Sequence, residues 1–281
     1  MKNLKNLAVL AALLVGTGTV TAQIKLGVCT NVQNAQKAKE AGAQFIEESV
    51  GRFLIPGKPD AEFAANLAAA KASPLPIRSC NGFLPGTIKV TGPAADHEAA
   101  LKWAETAFRR AQQAGISYIV FGSGGARQVP EGFSHAEATD QFVSLLKKMG
   151  PIAGKYDVTV VLEPLRSGEC NFLNTVGEGV KIVKKVGHPN IQCLADIYHM
   201  LQENEGPEAI VRGAKYIKHC HVAEKTDRAA PGTNGEDLTP YYDALNKIGY
   251  KGGLSIECKW TDFDKQLAPA LANLKKNTAR K

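Results

Sequence analysis

The sequence predicts an α/β fold, a single-domain (β/α)8 TIM barrel. Eight short apolar runs alternate with helical patterns along the chain. Apolar strands separated by helices mean a parallel sheet covered by helices, and eight of them close a barrel. The length agrees, because residues 23–281 make one barrel of ordinary size. The rival architecture is an open doubly wound sheet. It announces itself with a glycine-rich phosphate turn after the first strand, whereas this chain reads CTNVQN there.

The elements follow in order. Residues 1–22 carry the three parts of a secretory signal peptide: Lys2 and Lys5, an apolar stretch from Leu7 to Val15, then small residues ending in Ala22. The apolar stretch is too short to span a bilayer, so cleavage after Ala22 is expected. Strands are expected to start near Ile24, Phe45, Ile77, Tyr118, Val158, Ile191, Tyr216 and Gly253. Residues 34–41, 60–71, 97–114, 135–155, 176–186 and 241–248 are rich in Ala, Lys, Glu and Leu and read as helices. Gly42, Gly115, Gly187 and Gly249 sit just past helical segments, where a left-handed cap residue is wanted. Gly122-Ser123-Gly124-Gly125 is glycine-rich, but a barrel's phosphate site is expected after the last strands, not the fourth.

Charge and cysteine content exclude several classes. The formal charge is +7. Of 34 Lys and Arg, two leave with the leader and four crowd the last seven residues, which sets 28 against 27 acids in the body. A near-neutral body offers no nucleic-acid surface. No membrane span remains once the leader is removed, and export to the periplasm or the medium is expected. The six cysteines form no CxxC pair, and five lie in or beside strands. They read as buried free thiols.

Four polar residues end four successive strand patterns: Glu163 in VTVVLE, Asp196 in IQCLAD, His221 in YIKHCH and Glu257 in GLSIE. A barrel's functional rim is the carboxyl end of its strands, so the four heads are expected to meet. Three carboxylates and one imidazole suit one hard or borderline divalent ion. Mn2+ stands foremost, with Mg2+ and Co2+ close behind and Zn2+ more commonly given His or Cys. Strand alternation points Cys220 and Cys258 away from that site.

The stretches VLEPLRSGECNFLNTVGEG, LADIYHM, HCHVAEKTDRAAPG and YKGGLSIECKW resemble the xylose-isomerase-like sugar isomerase/epimerase barrels. That superfamily includes hydroxypyruvate isomerase, ketose 3-epimerases and inosose dehydratase. The resemblance covers residues 24–274 and implies a small sugar or keto-sugar as partner, with a homo-oligomer left open. It implies that Glu163, Asp196, His221 and Glu257 hold one divalent metal ion. It also implies that Glu163 and Glu257 are the catalytic acid/base pair, and that His199, Glu169 and Arg228 bind substrate. His219 is left as a strand neighbour. The chain departs from the pattern at Arg166-Ser167, where related barrels often carry Asn-Arg.

The implied activity is isomerisation or epimerisation of a small ketose or keto-acid through an enediolate stabilised by the metal. The same ligands serve a keto-sugar lyase or dehydratase if a β-hydroxyl leaves instead. A non-catalytic sugar-binding module is the reading of another class, and it has no need of both glutamates. DNA repair on a related barrel needs histidines where this chain has Val50-Gly51 and Asn81-Gly82.

Overall fold

Eight parallel strands close on themselves in sequence order, the first pairing with both the second and the eighth. The computed structural model describes residues 24–279. The expected leader at 1–22 lies outside the described residues. The strands are β1 Lys25–Cys29, β2 Phe45–Ser49, β3 Ile77–Asn81, β4 Tyr118–Phe121, β5 Thr159–Leu162, β6 Ile191–Asp196, β7 Ile217–Val222 and β8 Gly253–Ile256. Each begins within two residues of the position its apolar run predicts. Closure is set by the register Leu26↔Leu254 and Val28↔Ile256 between β1 and β8.

The helices are α1 Ala35–Glu40, α2 Asp60–Ala72, α3 His97–Gln113, α4 Gly124–Arg127, α5 His135–Lys155, α6 Val176–Val186, α7 Ile197–Gln202, α8 Glu208–Gly213, α9 Thr239–Lys247 and α10 Phe263–Thr278. The longer ones are specified locally. Thr175 and Glu178 form a reciprocal capping box at the start of α6, and Gly187 ends it with φ 69°. Asp96, Ser134 and Asp262 cap α3, α5 and α10 through their side chains. Gly42, Gly115 and Gly249 also take positive φ, as their places after helical segments require.

The apolar faces of the helices and the outward residues of the strands form one continuous core, including Phe108, Phe121, Phe142, Leu145 and Leu162. Inside the barrel a small separate layer of Val120, Val161 and Leu194 packs with Tyr118. Phe45 fills the neighbouring interior, and a methyl at Gly253 would meet its ring at 2.8 Å. Among the described residues no helix is long and apolar enough to cross a membrane. All six cysteines are free, four of them buried. Cys220 and Cys258 pack with the outer core, as strand alternation predicts.

Candidate active site

Strand endings create the site. Glu163 follows β5 directly, Asp196 closes β6, His221 is the next-to-last residue of β7, and Glu257 follows β8. The β6–β7 register places Asp196 beside His221, and the β7–β8 register places His221 beside Ser255, two residues before Glu257. One donor atom from each of Glu163, Asp196, His221 and Glu257 lies within 4.8 Å of the others. The four residues ending these strands are therefore brought together as the sequence predicts.

The contacts among them are the kind that a shared cation resolves. His221 Nδ1 lies 2.8 Å from Glu163 Oε1 and 3.4 Å from Glu257 Oε2. Asp196 Oδ1 accepts from the amides of Tyr198 and His199, at 2.8 and 3.4 Å, and so caps α7. Its other oxygen, Oδ2, is buried and makes no hydrogen bond: His199 Nε2 and an Arg228 nitrogen stand off at 3.5 and 3.7 Å. A buried carboxylate oxygen without a donor is costly. Two further carboxylates and an imidazole stand around this oxygen, and the four together match the donor set of a hard or borderline divalent ion. The residues fit a metal.

The electrostatics agree. Burial, then the Glu257 charge, raises the pKa of Glu163 above the ordinary carboxylate range. Burial pushes Asp196 up to about 6, although Arg228 and His221 pull the other way. Burial also works against ionised Glu257, but His221 and Arg228 outweigh it and hold that group at about 2. His221 is driven well above its usual range: burial opposes its charge, and Glu47, Glu257 and Glu163 overcome that. Crowded acids thus draw positive charge onto the imidazole, and a divalent ion relieves the same crowding.

Other side chains complete the rim. The Arg228 guanidinium donates to the Glu257 carboxylate, lies 3.7 Å from Asp196 Oδ2, and packs 4.7 Å above the Tyr198 ring. It sits on a strained turn, with φ of 58° at Asp227 and 52° at Arg228. Asn81 Nδ2 donates to Glu257 Oε1 at 2.6 Å. His199 Nδ1 accepts the Arg166 amide at 3.1 Å, so Nε2 carries the proton, and this buried Nε2 has no hydrogen-bond partner. Burial keeps that ring neutral. Glu169 stands farther out. It accepts from Arg166 Nε at 2.8 Å and lies 3.8 Å from Arg228, so it reaches the site only through those arginines. His219 lies below the four and bonds to Glu47.

Two functional features escaped the sequence reading. Arg127, wholly buried on α4, donates to the carbonyls of Gly122 (2.5 Å), Glu163 (2.8 Å), Phe172 and Leu173. It rivets the loop after β4 to the loop after β5 and so fixes the backbone of Glu163. Glu47, at the middle of β2, is 1% exposed inside the barrel, bonded to both His219 and His221. The available signal was faint: an acid directly after the apolar pair Phe45-Ile46, masked by a second acid at Glu48.

The family model described as Xylose isomerase-like TIM barrel matches residues 35–277. A Mus musculus protein with a provisional hydroxypyruvate isomerase name is 28% identical over 72% of this chain and 84% of its own length. The D-psicose 3-epimerase of Ruminiclostridium cellulolyticum is 31% identical over 42% of this chain and 40% of its own length. A crystal structure of a D-psicose 3-epimerase in the presence of D-fructose superimposes with a TM-score of 0.80 at 21% identity. It covers 92% of this chain and all of that one.

Proposed function

The chain belongs to the xylose isomerase-like TIM barrel family, and on that premise we propose that it is a divalent-metal-dependent sugar isomerase or epimerase acting on a small ketose or keto-acid. One observation carries the reading: the buried Oδ2 of Asp196 has no hydrogen-bond partner, at a point where two glutamates and an imidazole converge. The names of the relatives point the same way, toward hydroxypyruvate isomerase and ketose 3-epimerases.

Glu163, Asp196, His221 and Glu257 would hold the ion. Bound there, a divalent cation supplies Lewis-acid stabilisation of the negative charge that builds on a carbonyl oxygen when the neighbouring carbon loses its proton. The remaining work falls to the chain's own side chains. Glu163 and Glu257 flank the site, and one of them takes the proton from carbon. Returned by the other glutamate on the opposite face, a proton inverts the centre, which is epimerisation. Delivered by the same glutamate to the adjacent carbon, it moves the carbonyl, which is isomerisation. Positioned acid/base groups of this kind typically contribute about 10²–10⁴-fold each.

His199 offers its Nε2–H to a substrate oxygen while its Nδ1 stays on the Arg166 amide. Against burial, His221 and then Arg228 keep Glu257 ionised, and Asn81 fixes that carboxylate's orientation. Ionised Glu257 therefore suits the base, and Glu163, held at higher pKa, suits the acid.

The test is incubation of a panel of free ketoses and keto-acids with the metal-free protein and added Mn2+ in D2O. Isomer formation with deuterium at the reacting carbon, abolished by a chelator, supports the reading. An unsaturated product with ultraviolet absorbance marks elimination instead. No conversion or exchange of any substrate with Mn2+ present contradicts it.

A further inference from the structure

His221 meets the site with Nδ1, and the reason lies one layer deeper. Its other nitrogen, Nε2, is 2.9 Å from Glu47 Oε1. Glu47 Oε2 accepts from Ser79 Oγ at 2.6 Å and from Ser255 Oγ at 3.1 Å, and lies 2.6 Å from His219 Nε2. Two hydroxyls that donate and two imidazole nitrogens, from β3, β7 and β8, surround this one buried carboxylate, an environment that suits its ionised form. A carboxylate in that state only accepts. Both imidazoles must therefore donate through Nε2.

The consequence differs between the two rings. For His219, donation through Nε2 leaves Nδ1 as a lone pair, and that atom is buried without a partner. The ring is wedged between Tyr118, stacked 5.9 Å away at 14°, and Phe45 at 6.1 Å. For His221, the Glu47 bond holds the ring so that Nδ1 faces Glu163, Asp196 and Glu257. A register shift in the β2–β3 pairing falls between Ile46 and Glu47, the kind of irregularity that re-aims a side chain. An apolar residue would fill this space at no desolvation cost, as Val120, Val161 and Leu194 do elsewhere in the barrel interior.

We propose that Glu47 is a positioning residue for the metal centre: clamped by His219, Ser79 and Ser255, it takes the Nε2 hydrogen of His221 and presents Nδ1 to the ion. This rests on the metal reading above. Hydrogen-bond partners behind a ligating imidazole typically change metal affinity on the order of 10–100-fold.

The experiment compares wild type with Glu47→Gln by titrating Mn2+ into the metal-free proteins. It also records imidazole nitrogen-15 shifts of the Zn2+-loaded wild type. Gln keeps the shape but turns one acceptor into a donor that faces an imidazole N–H. The expected result is roughly a 10–100-fold weaker Mn2+ affinity in a variant that circular dichroism shows to be folded. In the Zn2+-loaded wild type, His221 should carry its proton on Nε2 and the metal on Nδ1. Wild-type affinity in folded Glu47→Gln overturns the role. So does a His221 ligated through Nε2, a result that does not need the variant to fold. Wild-type protein that takes up neither ion overturns the metal reading itself, and this role with it.

Discussion

Gly122 and Glu163 are matched across the β4–β5 pair: a methyl at Gly122 would fall on Glu163 Oε2, far inside contact distance. The glycine is what lets this carboxylate lie against the β4 loop, and Arg127 bonds to the carbonyls of both residues. Gly122→Ala must push the carboxylate aside. Misplacement of a catalytic group by about 1 Å costs on the order of 10²-fold. The expected outcome is a fall in kcat of that order with the thermal midpoint nearly unchanged. Steady-state kinetics and a melt of the same sample check it; unchanged kcat would contradict the match.

On the proposed mechanism Glu163→Gln and Glu257→Gln each remove one proton-transfer group and one charged ligand while keeping side-chain shape, so both are assayed at saturating Mn2+. Turnover should fall by about 10²–10⁴-fold in either variant. Equilibrium dialysis should still show the substrate bound. Retained turnover in Glu257→Gln would mean that this carboxylate moves no proton.

Asp196 sets a pH dependence in the metal-free protein. Its folded pKa is raised to about 6. An acid with a raised pKa is best tolerated when protonated, so its contribution to stability is lost as pH rises from the unfolded value through about 6. The shift corresponds to about 3 kcal/mol. Asp196→Asn keeps the cap on α7 and removes the charge. The metal-free variant should gain on wild type in thermal midpoint as pH goes from 4 to 7. Parallel melting curves across that range would refute the origin of the shift.

Much of this was legible in the sequence because strand ends are easy to read. VTVVLE and GLSIE are apolar runs that stop at an acid, and a parallel barrel gathers such stops at one rim. Glu47 was hidden by its neighbour. In FIEES two acids stand together, which reads as a solvated strand end, and only the closed barrel shows Glu47 turned inside, bonded to His219 and His221. The role of Gly122 was equally unreadable, because it depends on a side chain 41 positions away. The short helices α7 and α8 have too few residues for a periodic signal, and Pro269 interrupts the pattern of α10.

Arg127 makes a stability prediction. Replacing it with Met leaves the carbonyls of Gly122, Glu163 and Phe172 without their guanidinium donor, whereas that of Leu173 still accepts the Leu165 amide. Each unsatisfied group costs about 1–3 kcal/mol, so a loss of at least about 3 kcal/mol is expected. Urea denaturation measures it; a loss under about 1 kcal/mol would show that the loops find other donors.

The most direct measurement is calorimetric titration of Mn2+ into chelator-stripped protein, wild type beside Asp196→Asn. The expected result is one site per chain in wild type, lost or greatly weakened in the variant, with turnover of a ketose returning in step with wild-type occupancy. Absence of binding in wild type, or equal binding in both proteins, would contradict a metal centre built from these four side chains.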